Sequence, residues 1–131
     1  MRIVSSKTQI KTENAPQAIG PYSQGIVSGP FLVLSGQVPI DPKTGKMVEG
    51  DIEMQTKQVM ENIGAILHAA SSNYQEIIKT TIFLRDLSHF QLVNQIYSGY
   101  FLPPYPARST VEVSRLPLDA QIEIEVIAMR L

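Results

Sequence analysis

The alternation of apolar and polar residues predicts a β-hairpin in the first third of the chain. Apolar and β-branched residues dominate Gly25–Val27 and Phe31–Ser35, and Ser28-Gly29-Pro30 between them is typical of a turn. The segment Asp41-Pro42-Lys43-Thr44-Gly45 is also rich in turn-forming residues. We therefore expect two paired strands followed by a second turn.

The middle of the chain is predicted to form a helix followed by a strand. Asp51 can cap a helix that runs to about Ala70, because an aspartate oxygen accepts from a free backbone N–H. The apolar residues of this segment have the spacing of one buried stripe: Ile52, Val59, Ile63, Ile66, Leu67 and Ala70. Residues 77–85 are mostly β-branched or apolar, which predicts a strand.

A second helix is predicted after this strand. Ser88 and Gln91 have the spacing of a capping box, in which each side chain satisfies a free backbone N–H at the helix start. The helix should end before Pro103-Pro104-Tyr105-Pro106, because proline cannot continue it.

Two strands are predicted to end the chain, at about Ala107–Arg115 and Gln121–Leu131, joined around Leu116-Pro117-Leu118-Asp119. The predicted order is therefore ββ(β)αβαββ. Two helices packed on one face of a mixed sheet is the simplest architecture for that order, so the fold class is α+β.

The last two strands are expected to pair as a hairpin with two different faces. One face suits a core under helices: Val111, Val113, Ile122, Ile124, Val126 and Ala128. The other face mixes charged with large apolar side chains: Arg108, Thr110, Glu112, Glu123, Glu125, Ile127 and Met129. The short loop would set Arg115 opposite Ala120 and Arg108 opposite Ile127, so that Glu123 lies roughly 13 Å further along. We therefore expect this face to be buried between subunits, and Arg108 and Glu123 of one site to come from two chains.

Length and composition restrict the number of domains and the possible classes of function. A chain of 131 residues favours one domain, residues 1–131. Charged residues make up only 18%, which suggests that part of the surface faces another subunit. The formal net charge is −1 and no basic run is present, which disfavours a nucleic-acid binder.

The chain has no cysteine, which excludes disulfides, thiolate catalysis and cysteine-based metal sites. Met1-Arg2-Ile3-Val4-Ser5 lacks the apolar segment of a secretory signal, and no apolar run is long enough to span a membrane. We therefore expect a cytoplasmic protein. His68 and His89 lack metal-ligand spacing and are interpreted as solvated helix residues, so no metal is predicted.

Arg108 and Glu123 are the main candidates for chemistry. Arg108 opens a strand after a proline-rich loop, and a guanidinium can bind a carboxylate through two parallel hydrogen bonds. The alternative for Arg108 is a surface or interface salt bridge. Glu123 and Glu125 are carboxylates that could hold and activate water, or else solvated or ion-paired strand residues.

Three further positions have a structural and a functional interpretation. Tyr22, in a Gly-Pro-Tyr turn, could contact a ligand but is more often a packing aromatic. Asn94 shares a helix face with Phe90 and Tyr97 and is more simply a buried amide bonded to a loop. Ser109 and Thr110 stand beside Arg108, but no histidine near them in sequence could act as base, which disfavours a serine triad.

Several separate motifs in the right order resemble the RidA (YjgF) family over nearly the whole chain. The matching stretches are Asn14–Gly25, Ser35–Pro39, Lys79–Phe83, Val93–Asn94, Pro106–Val113 and Ile122–Ala128. The resemblance implies a chorismate-mutase-like fold and a homotrimer with the sheets facing inward and three sites between subunits. It also implies hydrolysis of 2-iminobutanoate and 2-iminopropanoate to 2-oxo acids and ammonia, without a cofactor.

The resemblance also implies roles for individual residues. Arg108 falls on the family's carboxylate-binding arginine, and Glu123 falls on the glutamate that positions water. Other substrate-binding positions are implied at Tyr22, Ser35, Gly36, Asn94 and Thr110. Thr110 stands where many members have cysteine, and we expect the threonine to be tolerated because this chemistry needs no thiolate.

Two other functions compete with the deaminase. One is a regulatory protein that binds small carboxylates without turnover, but pure carboxylate capture needs no second acid such as Glu123. The other is a ribonuclease or translation inhibitor, against which the missing basic patch and the missing catalytic histidine argue.

Overall fold

A mixed six-stranded β-sheet carries two α-helices on one face. The computed structural model describes residues 6–131, so the segment that predicts no signal peptide, residues 1–5, lies outside the described residues. The elements are β1 Thr8–Ile10, β2 Gly25–Ser28, β3 Phe31–Gln37, β4 Ile40–Asp41, β5 Lys46–Met47, α1 Ile52–Ala69, β6 Ile77–Leu84, α2 Phe90–Ser98, β7 Ala107–Glu112 and β8 Ile122–Met129. Short 3-10 helices lie at Tyr74–Glu76, Leu87–His89 and Pro117–Asp119.

The strand order across the sheet is β1-β2-β3-β8-β6-β7. Neighbouring strands are antiparallel except β6 and β7, which are parallel. The predicted hairpin is confirmed, since β2 and β3 pair with Ser28 opposite Phe31. The predicted second turn is confirmed as well: Gly45 N donates to Asp41 O at 2.8 Å and joins the small β4–β5 hairpin.

The core lies between the sheet and α1, as the apolar stripe predicts. Asp51 caps α1 by accepting from Met54 N at 3.0 Å. The stripe residues Val59, Ile63 and Leu67 are fully buried. They face the alternate residues of β8 that the sequence assigns to the core: Ile122, Ile124, Val126 and Ala128.

The start of α2 differs from the prediction. Asp86, not Ser88, provides the cap, because its side chain accepts from Ser88 N at 2.9 Å and begins a 3-10 turn. The α-helix proper begins only at Phe90. The predicted capping box of Ser88 and Gln91 is therefore wrong, since Asp86 caps the 3-10 turn and the N-cap residue of α2 is His89, which makes no side-chain capping bond.

The predicted β7–β8 hairpin is also wrong, because β6 lies between these two strands. β7 pairs with β6 in parallel, with Arg108 beside Thr80, and Arg108 is not opposite Ile127. Since paired residues point to the same face of a sheet, Arg108 shares the helix-covered face with the buried Thr80. Val111, expected in the core, is instead 42% exposed.

The face of the sheet away from the helices is uncovered in the single chain. Three large apolar side chains on this face are each about two-fifths exposed: Phe31, Val33 and Ile127. They lie beside charged residues such as Lys79 and Glu125, with which Val33 and Ile127 line a shallow depression. Within residues 6–131, no helix combines the length and the apolar character that a membrane crossing requires.

Candidate active site

The Arg108 side chain lies between β7 and α2 and contacts aromatic rings. Its guanidinium carbon is 5.1 Å from the centre of the Tyr97 ring and 5.5 Å from that of Phe90. The cleft in front of it has a volume of about 410 Å³. Its lining includes Asn94, as the shared helix face predicts, together with Tyr105 and Pro106 of the proline-rich loop. No carboxylate of residues 6–131 forms an ion pair with Arg108, so the salt-bridge alternative has no support within the described chain.

Tyr97 connects this cleft to the core. Its hydroxyl is hydrogen-bonded to Thr80 Oγ1 at 2.8 Å, and the side chain is only 4% exposed. Burial raises the pKa of Tyr97, although the bond to Thr80 and the charge of Arg108 act in the opposite direction. The ring therefore stays neutral and fixed beneath the guanidinium.

Glu123 lines a second, smaller cavity on the opposite face of the sheet. It lies on β8 and is half-buried, and burial together with the nearby charge of Glu125 raises its pKa. The cavity has a volume of about 100 Å³, and Tyr22 and Leu118 also line it. A half-buried carboxylate with a raised pKa is a better proton acceptor than an ordinary surface glutamate.

Gly36 makes room for the Glu123 carboxylate. A Cβ added to Gly36 would collide with the Glu123 carboxylate and lie 2.8 Å from its Cδ. Gly36 stands where the pairing of β3 with β8 is irregular, between Leu34 and Gln37. The predicted position Gly36 thus shapes the space in which Glu123 lies.

Gln24 holds the loop that forms one wall of this cavity, and the sequence analysis missed it. The side chain is 3% exposed and accepts from Thr12 N at 2.7 Å. It also donates to the carbonyl oxygens of Thr12, Ala15 and Pro16 at 2.8–3.3 Å. The only signal in the sequence is its place between a proline-containing loop and a strand, which does not distinguish it from a surface glutamine.

Two other predicted positions lie in the same region as Glu123. Tyr22 is 49% exposed, and its hydroxyl accepts from Ile19 N at 3.3 Å. Ser35 lies next to Gly36, but its hydroxyl donates to Ser23 O, so it holds the loop on β3. Tyr22 is therefore available to a ligand, whereas the Ser35 hydroxyl is already engaged.

The structure does not bring all predicted residues together in one chain. Arg108, Asn94 and Thr110 belong to the helix-covered face, whereas Glu123 belongs to the opposite face of the sheet. The predicted placement of Arg108 and Glu123 on one face is wrong, because Arg108 pairs with Thr80 of β6 and Glu123 with Phe83 of β6, which point to opposite faces. The Arg108 cleft and the Glu123 cavity are therefore two separate pockets in the single chain.

Several residues named as alternatives have other positions. Glu112 accepts from Leu87 N at 2.8 Å, and Glu125 is exposed. His89 Nδ1 and Thr110 Oγ1 are buried and have no hydrogen-bond partner in the described part of the chain, so His89 is not fully solvated as predicted. Residues 6–131 contain no group of three or more potential metal ligands.

Comparisons with known proteins agree over nearly the whole chain. Residues 12–130 match the family described as Endoribonuclease L-PSP. A 2-iminobutanoate/2-iminopropanoate deaminase of Salmonella typhimurium is 52% identical over 128 residues, with 95% of this chain and 98% of the relative covered. A RutC family protein of Pyrococcus horikoshii is 56% identical over 124 residues, with the same coverage. A crystal structure of a Rid family protein from Yersinia pestis superposes with a TM-score of 0.93 at 54% identity, covering 95% of this chain and 99% of the other.

Proposed function

Because the chain belongs to the Ribonuc_L-PSP (YjgF/RidA) family, we propose that it hydrolyses 2-iminobutanoate and 2-iminopropanoate to 2-oxo acids and ammonia. Relatives about half identical to it are named for this reaction, whereas the RutC family relatives are not named for an activity. The proposal needs no cofactor, and a cytoplasmic location remains the prediction made from the sequence.

Arg108 is the residue that binds the substrate carboxylate in this proposal. Its guanidinium faces an open cleft and pairs with no carboxylate of residues 6–131. A guanidinium offers parallel N–H donors that match the two oxygens of a carboxylate. Asn94, in the same cleft, adds an amide that can hydrogen-bond the substrate.

Glu123 is the residue that activates water. Its carboxylate accepts a proton from water as the water oxygen bonds to C2 of the protonated imine, and the C=N electron pair moves to nitrogen. The Glu123 carboxyl then returns its proton to the amino nitrogen of the resulting carbinolamine. The C–N bond breaks and ammonia leaves, while the hydroxyl group gives up its proton to solvent and becomes the 2-oxo group. An anion at this point also stabilises the iminium cation. Modest positioning suffices because imines hydrolyse readily.

A complete site needs two copies of the chain, since Arg108 and Glu123 lie on opposite faces of one sheet. A neighbouring copy can bring its own Arg108 cleft to the Glu123 cavity. The exposed apolar residues Phe31, Val33 and Ile127 on the uncovered face support such contact between copies. We propose the homotrimer with inward-facing sheets and the chorismate-mutase-like arrangement that the family resemblance implies.

The observation that carries the deaminase proposal is the combination of two groups: a guanidinium that pairs with no carboxylate of residues 6–131, and a half-buried carboxylate whose pKa is raised. A regulatory carboxylate binder would need only the guanidinium. The family description also suggests RNA cleavage, but the net charge is −1 and neither histidine lines a cavity with Arg108 or Glu123. Simple carboxylate binding therefore leaves Glu123 unexplained, and RNA cleavage is disfavoured by the charge of the chain and by the absence of a histidine from the linings of the two pockets.

The test is a competition assay. Threonine dehydratase generates 2-iminobutanoate, semicarbazide traps it, and added protein should divert it to 2-oxobutanoate and lower the rate of semicarbazone formation. Arg108→Ala should assemble but lose the effect, because a charge-assisted hydrogen bond contributes about 1.5–3 kcal/mol and its loss weakens binding by roughly ten- to hundredfold. If the wild-type protein leaves semicarbazone formation unchanged, the deaminase proposal is wrong.

A further inference from the structure

The guanidinium of Arg108 contacts aromatic rings and forms no ion pair with an acidic group of residues 6–131. The Tyr97 and Phe90 ring centres lie 5.1 and 5.5 Å from its central carbon. The ion pairs among residues 6–131, Lys57 with Glu53 and Arg85 with Asp119, do not involve it. Arg108 is thus a partly buried cation that the described chain stabilises through ring faces.

This environment matters for carboxylate binding. A protein carboxylate beside Arg108 would neutralise its charge and compete with the substrate for the same N–H donors. A ring face attracts the cation through the ring quadrupole and contains no oxygen that competes for those donors. Aromatic contacts can therefore fix the guanidinium while leaving its charge available to an anionic ligand.

The Tyr97 ring is itself fixed from both sides. Its hydroxyl is bonded to Thr80 Oγ1, and Thr80 is the residue paired with Arg108 across the β6–β7 ladder. The other edge of the ring packs on Phe101, with ring centres 4.7 Å apart. The position of the guanidinium is therefore set by the same strand pair and helix that define the cleft.

The Phe90 ring lies at the first residue of α2 and is 37% exposed. Its exposure makes it a weak contributor to the core, although its ring centre lies 5.5 Å from the guanidinium carbon of Arg108. A structural role alone does not require an aromatic ring at this position, whereas contact with a cation does.

We propose that Phe90 and Tyr97 form an aromatic clamp that positions Arg108 for the substrate carboxylate, an inference that rests on the proposed function of Arg108 as carboxylate ligand. They are positioning residues, because they act through Arg108 and not on the reacting atoms. The clamp predicts that loss of a ring face weakens recognition of the carboxylate specifically, while the hydrolytic step at Glu123 is preserved.

The experiment replaces the exposed ring. Phe90→Leu should weaken binding of 2-oxobutanoate, measured by calorimetry on the assembled protein, by about three- to tenfold. Binding of the uncharged 2-oxobutanamide should not change, KM should rise, and kcat should stay near the wild-type value. Phe90→Tyr should restore affinity because it restores a ring face. Leu87→Ala, which removes an exposed apolar side chain from the preceding 3-10 turn, is the matched control and should bind as wild type.

Tyr97→Phe separates the ring from its anchor, because it keeps the ring face and removes the hydrogen bond to Thr80. It should weaken 2-oxobutanoate binding less than Phe90→Leu does. The clamp would be overturned if Phe90→Leu bound 2-oxobutanoate with wild-type affinity, or if its affinity for 2-oxobutanamide fell by the same factor. It would also be overturned if the wild-type protein did not bind 2-oxobutanoate. If wild type binds it and shows the Phe90 effect but hydrolyses no imine, the clamp stands and the deaminase proposal fails.

Discussion

Gly36→Ala should inactivate the protein without unfolding it, because the new methyl group occupies space that the Glu123 carboxylate now fills. The added Cβ would lie 2.8 Å from Glu123 Cδ and 3.1 Å from Cγ, with the carboxylate oxygen closer still. Ordinary contacts of a Cβ lie at 3.4–4 Å, so the carboxylate must move. No positive φ is involved at Gly36, and the backbone itself can accept alanine.

The displacement needed is about 1 Å, and a misplacement of that size in a catalytic group can lower the rate roughly a hundredfold. The stability should change little, because Glu123 is half-buried and the far end of its side chain can rotate. We therefore expect kcat/KM to fall by about two orders of magnitude while the unfolding midpoint stays near the wild-type value.

The assay is semicarbazide competition for kcat/KM, with urea unfolding in parallel. Gly29→Asn is the control in the same hairpin, because nothing lies within 4 Å of a Cβ there and asparagine tolerates the left-handed φ of 57°. It should be fully active. If Gly36→Ala retains wild-type activity and is as stable as the control, Glu123 does not activate the water from its present position.

Three other predictions concern Gln24, Glu123 and Thr110. Gln24→Ala should lower the free energy of unfolding by about 2–4 kcal/mol in urea titrations, because the four hydrogen bonds of one buried amide are lost. A decrease below about 0.5 kcal/mol would show that Gln24 does not hold the loop in place. The acid limb of the pH profile of kcat/KM should lie at a higher pH than the ordinary pKa of a glutamate, because the active carboxylate form of Glu123 is lost as pH falls through its raised pKa. Glu125→Gln should move this limb to lower pH, because it removes the nearby charge that helps to raise the pKa of Glu123; a limb that does not move would belong to another group. Thr110→Cys should retain wild-type turnover because no step uses a thiolate, and a large loss would show that the hydroxyl contacts the substrate.

The local elements could be predicted from the sequence because their signals are local. The stripe of α1, its Asp51 cap and the β2–β3 hairpin each depend on residues close in the chain, and the structure confirms them. The prediction that Ile122 and Ile124 lie in the core is also confirmed, because alternate residues of a strand point to the same face whichever strand is its partner.

The sheet order could not be predicted, because it depends on contacts between distant segments. A short connection between two strands indicates a hairpin, yet the chain after β7 passes the end of β6 before β8 begins. Leu118 and Asp119 adopt positive φ angles of 56° and 61° in this connection, and a leucine does not signal such a conformation. The same error put Arg108 and Glu123 on one face of the predicted sheet. The expectation that one site needs two chains is therefore based on the opposite faces of these residues, and no longer on their distance along one hairpin.

Mixing two inactive variants tests the central claim, that Arg108 of one chain and Glu123 of another form one imine-hydrolysing site. Arg108→Ala and Glu123→Gln chains are dissociated, combined in equal amounts and reassembled, and imine hydrolysis is measured against each variant reassembled alone. Random assembly should give about a quarter of the seams both wild-type residues, so about a quarter of the wild-type activity should return. If no activity returns although mixed oligomers have formed, both residues act from the same chain and the account is wrong.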